Sequence, residues 1–176
     1  MILNDRQIMD LVHSFDMINP FDFNRLNSFG YDLTLDSEFW VLTTDCLSGT
    51  IIDPMNISKE QFRKFSGEYC IIPPNSFVLG KSVEYIKMPS YITGICIGRS
   101  TYARVGIIAN ITPLEAGWEG IVNIELSNSC PLPAKVYAKR GIIQVVFFAG
   151  DNPDRDYVQK GGRYQFQIGV QLPRGV

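Results

Sequence analysis

From Glu68 to Ala149 the chain reads as one short apolar run after another. EYCII, FVLG, SVEYIKM, YITGICIG, GIIANIT, GIVNIEL, AKVYA and IIQVVFFA follow in succession, punctuated by Gly, Pro and Asn. Runs this short, rich in β-branched residues and spaced by turn formers, predict a mainly β chain built as a sandwich or barrel. IIQVVFFA is apolar on both faces, which predicts a central strand or a subunit contact. Upstream, Tyr31, Leu33 and Leu35 alternate with Asp32, Thr34 and Asp36 after a break at Gly30, as in a half-buried strand, and Phe39 to Leu42 predicts a second.

Helix is confined to small pieces. Asn4 with Gln7 forms a capping-box pattern ahead of a stripe of Ile8, Leu11, Val12 and Phe15, so a helix is expected to end near Phe15, before Asn19-Pro20. Ser58 with Gln61 predicts a short capped turn. Residues 43 to 56 are turn-rich, with Ser48-Gly49 and Asp53-Pro54. The tail from Asp151 onward is polar and glycine-rich, a composition that often frays. It also carries Tyr157, Tyr164 and Phe166, enough aromatic area to fold over something. With 176 residues and no repeat or linker, a single domain over 1–176 is expected.

The formal net charge of −2 gives no basic field for wrapping nucleic acid, so an anionic ligand needs local cations. No apolar run approaches the roughly 20 residues of a membrane span. The polar start MILNDRQIMD does not read as a signal peptide, and a cytoplasmic location is expected. Cys46, Cys70, Cys96 and Cys130 lack CxxC spacing and read as reduced, buried thiols, three of them in apolar or strand-like surroundings. His13, the single histidine, has no acid two residues on and no cysteine pair downstream, and reads as a surface helix residue. A zinc site of the nucleobase-deaminase type needs such a pair.

The chemistry concentrates between Gly98 and Asn128. In the strand Ile121 to Asn128, Val122, Ile124 and Leu126 share one face, and Asn123, Glu125 and Ser127 the other. Glu125 is either a partly desolvated carboxylate with a pKa raised toward general-base range, or a solvated residue on an outer face. GRSTYAR reads as a turn into a short helical segment, with Ser100 as its cap and Arg104 on the same face. It is either a phosphate-binding turn, with Arg99 and Thr101 adding contacts, or an ordinary capped turn with a surface arginine. Glu115 and Glu119 flank Gly117 in a turn between strands, facing a metal or water, or solvated.

Taken together, GRSTYAR, GIIANITPLEAGWEG, IELSN and PLPAKVYA closely resemble the dCTP deaminase family of the dUTPase-like β-barrel superfamily. The resemblance extends to ILNDRQI, SFGYDLTL, IIPPNSFVLGKSVEYIKMP and GGRYQFQIGVQLPR, nearly the whole chain. It implies a distorted jelly-roll, dUTPase-like β-barrel with a short N-terminal helix and small helical turns. It further implies a homotrimer with active sites between subunits, and zinc-independent hydrolysis of dCTP to dUTP and ammonia. Mg²⁺ would be held mainly by the triphosphate, with no protein metal ligands. By the same resemblance Glu125 is the general base that activates water at cytosine C4, with Ser100 and Arg104 as its partners. Arg99, Ser100 and Thr101 form the triphosphate turn, supplied across a subunit boundary. Asn110, Thr112 and their strand grip the nucleotide, and Tyr157, Arg163 and Gln167 belong to the closing tail. dTTP is a candidate inhibitor. The chain departs from the pattern at Phe166, where the family's tail often carries glycine, and at Ile168. Glu115 stands where dUTPases and bifunctional deaminase–dUTPases carry aspartate, which keeps a bifunctional enzyme giving dUMP and pyrophosphate as an alternative. A non-catalytic nucleotide-binding scaffold is a third.

Overall fold

A computed structural model describes residues 1–43 and 51–174; Cys46 and the expected Ser48-Gly49 turn lie outside the described residues. The chain opens with α1 (Asp5–Phe15). Its capping box forms as expected: Asn4 accepts from the Gln7 N–H at 3.0 Å, and the Gln7 side chain accepts from the Asn4 N–H at 3.1 Å. The strands follow in order: β1 (Ile18–Asn19), β2 (Leu26–Asn27), β3 (Gly30–Thr34), β4 (Glu38–Leu42), β5 (Phe62–Ser66), β6 (Tyr69–Ile72), β7 (Phe77–Lys87), β8 (Ile92–Gly98), β9 (Ile107–Asn110), β10 (Glu119–Asn128), β11 (Ala134–Tyr137) and β12 (Gly141–Ala149). Between β8 and β9 lies one helical turn, α2 (Ser100–Ala103).

Three antiparallel sheets result. The largest runs β5-β4-β7-β10-β9, with β1 also on β7; the second runs β2-β3-β12-β8; β6 and β11 form a separate pair. Two sheets facing across an apolar core match the distorted jelly-roll expectation, although no closed barrel is found among the described residues. Tyr31, Leu33, Leu35, Ile86, Ile124, Val145 and Phe147 are fully buried between the sheets. β12 is central in its sheet, as its two apolar faces predicted.

Two strands differ from their sequence pattern. FVLG and SVEYIKM are one continuous strand, β7, because Gly80 is not a break: it is a close approach, where a Cβ would sit 2.9 Å from the Leu35 side chain. β3 is buried along its whole length, not on one face. Its polar residues are covered because each has a partner: Asp32 pairs with Arg99 at 2.7 Å, and the Thr34 N–H donates to the Glu84 carboxylate at 2.8 Å.

Glu84 reaches Thr34 because β7 bulges against β10. The register jumps between Ile121 and Asn123, and Ser82 fills the gap, with the Val122 N–H donating to its Oγ at 2.9 Å. Bulges re-aim side chains in this way. Burial pushes the Glu84 pKa up, opposed by the bonds from Thr34.

Candidate active site

β10 is bordered by β7 along one edge throughout. Its other edge is shared between two neighbours. β9 pairs only with the second half, from Glu125↔Asn110 to Asn128↔Ile107. The first half is taken by the C-terminal tail, which is docked and not frayed. The Phe166 N–H donates to Glu119 O at 2.8 Å, the Ile121 N–H to Gln167 O at 2.8 Å, and the Gln167 side chain to Ile121 O at 2.8 Å. Gln165 bonds the Glu119 N–H and Gly117 O. The Asn123 amide takes the Gln171 N–H at 2.8 Å and gives a bond to Gly169 O at 3.2 Å. Further back, Tyr157 N–H donates to Ala116 O, the Trp118 indole to Tyr164 O, and the Tyr164 N–H to the Tyr157 hydroxyl. Gly117 permits this with φ +78°, where a Cβ would meet Asp156 of the tail at 3.0 Å.

Glu125 stands where the tail ends its hold on β10 and β9 begins. A cavity of about 650 Å³ opens there, lined by Glu125 and Asn123, by Asn110 to Glu115 and Trp118, and by Tyr157, Tyr164, Gln167 and Gln171 of the tail. Ile57, Phe62, Phe77 and Leu79 form an apolar wall. A largely apolar cleft with few convergent polar groups is the ordinary form of a small-molecule site. Burial raises the Glu125 pKa from 4.5 to about 7, which makes it the desolvated carboxylate of the two sequence readings. Cys96 lies near enough that burial and the Glu125 charge push its thiol up to about 12.

The structure thus brings Glu125, Asn110, Thr112, Tyr157 and Gln167 to one cavity. It does not bring Arg99, Ser100, Thr101, Arg104 or Arg163 there: none of these lines it, and all are exposed. Ser100 is not the cap of α2. Arg99 occupies that position without a side-chain cap bond, and Ser100 is the first helical residue. Its Oγ instead accepts from Arg104 Nη1 at 3.2 Å, on the shared face that their spacing predicted. Glu119 is also removed from the site, since its carboxylate accepts the Tyr85 hydroxyl at 3.0 Å. Glu115 reaches the rim, half-exposed and 3.8 Å from Lys160. His13 is exposed on α1, as expected; Cys70, Cys96 and Cys130 are free thiols, but only Cys70 is buried, while Cys96 and Cys130 are half-buried.

The family model described as dCTP deaminase-like matches residues 2–150. The chain belongs to the dCTP deaminase-like family. Within this family, the dCTP deaminase of Herpetosiphon aurantiacus is 47% identical over 97% of both chains. Among solved structures, the 2'-deoxycytidine 5'-triphosphate deaminase of Agrobacterium tumefaciens superposes with a TM-score of 0.67 at 17% identity. It covers 85% of this chain, which in turn spans about half (48%) of that protein's length. A Staphylococcus bacteriophage 80alpha dUTPase superposes at a TM-score of 0.50 and 13% identity, over 76% of this chain and 84% of its own. These two likenesses concern the fold. The tail beyond residue 150 lies outside the family match, yet it supplies one wall of the cavity.

Sequence reading missed three participants. Asn123 was visible only as a neighbour of Glu125 on the polar face. Gln165 was not singled out, although it alternates with Gln167 as an amide pair able to mimic backbone. Trp118 gave no signal beyond its position after Gly117.

Proposed function

We propose that this protein hydrolyses dCTP to dUTP and ammonia, with Glu125 as the general base. The observation that carries this reading is a carboxylate with pKa raised to about 7 in the wall of a largely apolar cleft, in a chain of the dCTP deaminase-like family. Near neutral pH such a group is close to half ionised, the condition under which it can both take and return a proton. Ionised Glu125 removes a proton from water as the oxygen attacks cytosine C4. The protonated carboxyl then delivers that proton to the exocyclic amine. Attack pushes the N3=C4 electron pair onto N3; the C4–N bond breaks, ammonia leaves, and the remaining hydroxyl proton passes to N3 as the C4 carbonyl of uracil forms. Asn110 and Thr112 are at hand for base and sugar, and Tyr157 and Gln167 close the other side.

Ser100 and Arg104 are proposed to reach the cavity from a second copy of the chain. Two features support a homotrimer with sites shared between subunits. The Ser100–Arg104 pair is preformed but outside its own cavity. Ile95 and Ile97 on the edge strand β8, with Ile108 on β9, leave 39%, 55% and 55% of their surfaces open, an apolar patch suited to burial against another copy. Arg99 and Thr101 would then hold the triphosphate. No group of three or more His, Cys, Asp or Glu side chains able to hold a metal occurs among the described residues, so Mg²⁺ is proposed to arrive on the phosphates. No helix among the described residues is long and apolar enough to cross a membrane, and a cytoplasmic enzyme fits that. dTTP, which shares the sugar and triphosphate, is a candidate inhibitor. The bifunctional alternative is not favoured, since Glu115 lies at the rim beside Lys160 and the compared relative is named a dCTP deaminase.

The test is chromatography of products from dCTP, CTP, dCMP and dUTP, each offered with excess Mg²⁺ and a zinc chelator. dUTP and ammonia in equal amounts from dCTP are expected. dUMP with pyrophosphate would establish the bifunctional enzyme, and no product from dCTP would remove the deaminase reading.

A further inference from the structure

The hydrogen bonds that tie tail residues 168–172 to the sheet, among the described residues, both end on one side chain, Asn123. Its Nδ2 donates to Gly169 O at 3.2 Å, and its Oδ1 accepts from the Gln171 N–H at 2.8 Å. In a parallel ladder a residue bonds the carbonyl before and the N–H after the residue opposite it. The Asn123 amide reproduces that pattern in its side chain, opposite Val170. A carboxylate would lack the donor, and an aliphatic residue would lack both groups. Val170 is thereby held in a small apolar cluster with Trp40, Phe62 and Leu79, where it is buried. Asn123 lies two residues before Glu125 on the same strand face, and its tail partner Gln171 lines the same cavity.

We propose that Asn123 is the latch of the tail: a positioning residue whose side-chain amide sets the register of residues 169–171 and so fixes the cavity wall beside Glu125. Opening the cavity for nucleotide entry then breaks two neutral, pH-insensitive bonds at one point, while Gln165 and Gln167 keep the tail's root attached. The effect on turnover rests on the dCTP reading; the latch itself does not.

The experiment is hydrogen exchange of the full-length protein, with kinetics on dCTP, for Asn123→Ala and for Gln171→Pro. The second variant removes the N–H that Asn123 accepts and lies in the tail, outside the sheets. Each is expected to speed exchange in residues 169–172 about tenfold, the scale of one or two neutral hydrogen bonds. Amides of β10 should stay protected. KM for dCTP should rise severalfold in both variants, by more than kcat falls. Unchanged exchange at 169–172 in either variant overturns the latch. So does equal loss of protection along β10, which would make Asn123 a strand-packing residue, and so does an unchanged KM alongside a loosened tail. A parent enzyme inactive on dCTP would remove the deaminase reading, while the exchange result would still decide the latch.

Discussion

Replacing Glu125 by Gln should make the protein more stable above neutral pH while abolishing its proposed activity. Burial holds the Glu125 carboxyl near pKa 7 in the folded chain, against 4.5 for an ordinary glutamate. Between those values the folded state binds more protons than the unfolded state, so wild-type stability falls as pH rises through that window. The cost is absent below about pH 4.5 and fully present above about pH 7. At about 1.4 kcal/mol per pKa unit, the ionised carboxylate destabilises the fold by up to about 3 kcal/mol. The neutral, nearly isosteric Gln removes that cost. For a chain of this length roughly 2–4 °C accompanies each kcal/mol, so Glu125→Gln should melt about 6–12 °C above wild type at pH 8.5. Near pH 4.5 the two should coincide. Thermal unfolding of both proteins across this range is the assay. A gap that does not change with pH, or a variant less stable at pH 8.5, refutes the desolvated-base reasoning.

Further outcomes follow from other parts of the fold. Glu84→Ala leaves the Thr34 N–H and hydroxyl without their buried partner and should cost roughly 3–5 kcal/mol in urea unfolding, whereas Glu84→Gln, which can still accept and donate, should cost far less. Phe166 is held at φ +58° with its side chain 61% exposed, so Phe166→Gly should relieve about 1 kcal/mol of backbone strain and slow exchange in the docked tail; faster exchange would contradict this. Both tryptophans meet the tail, Trp118 through Tyr164 O and Trp40 through Val170. Truncation after Gly162 should therefore shift their emission to longer wavelength, and an unshifted spectrum would show that the tail does not cover them in solution.

Much of the architecture was legible from local signals. The Asn4–Gln7 box, the Ser58–Gln61 turn and most of the β runs needed only neighbours in sequence. Glu125 was legible as a carboxylate on a polar stripe, but its desolvation was not, because that depends on β9 and the tail arriving on either side. Long-range partners were invisible for the same reason. Asp32 and Thr34 read as a solvated face until Arg99 and Glu84 covered them. Ser100 read as a cap because the pattern could not show Arg99 taking that place. Phe166 was noted only as a departure from glycine; its left-handed backbone explains why glycine suits that position.

The most direct test of the central claim is ammonia release from dCTP by the parent and by Glu125→Gln, with nucleotide binding measured on both. The account predicts stoichiometric ammonia from the parent, none from the variant, and retained dCTP binding by the variant. Ammonia released at the parent rate by Glu125→Gln would contradict it.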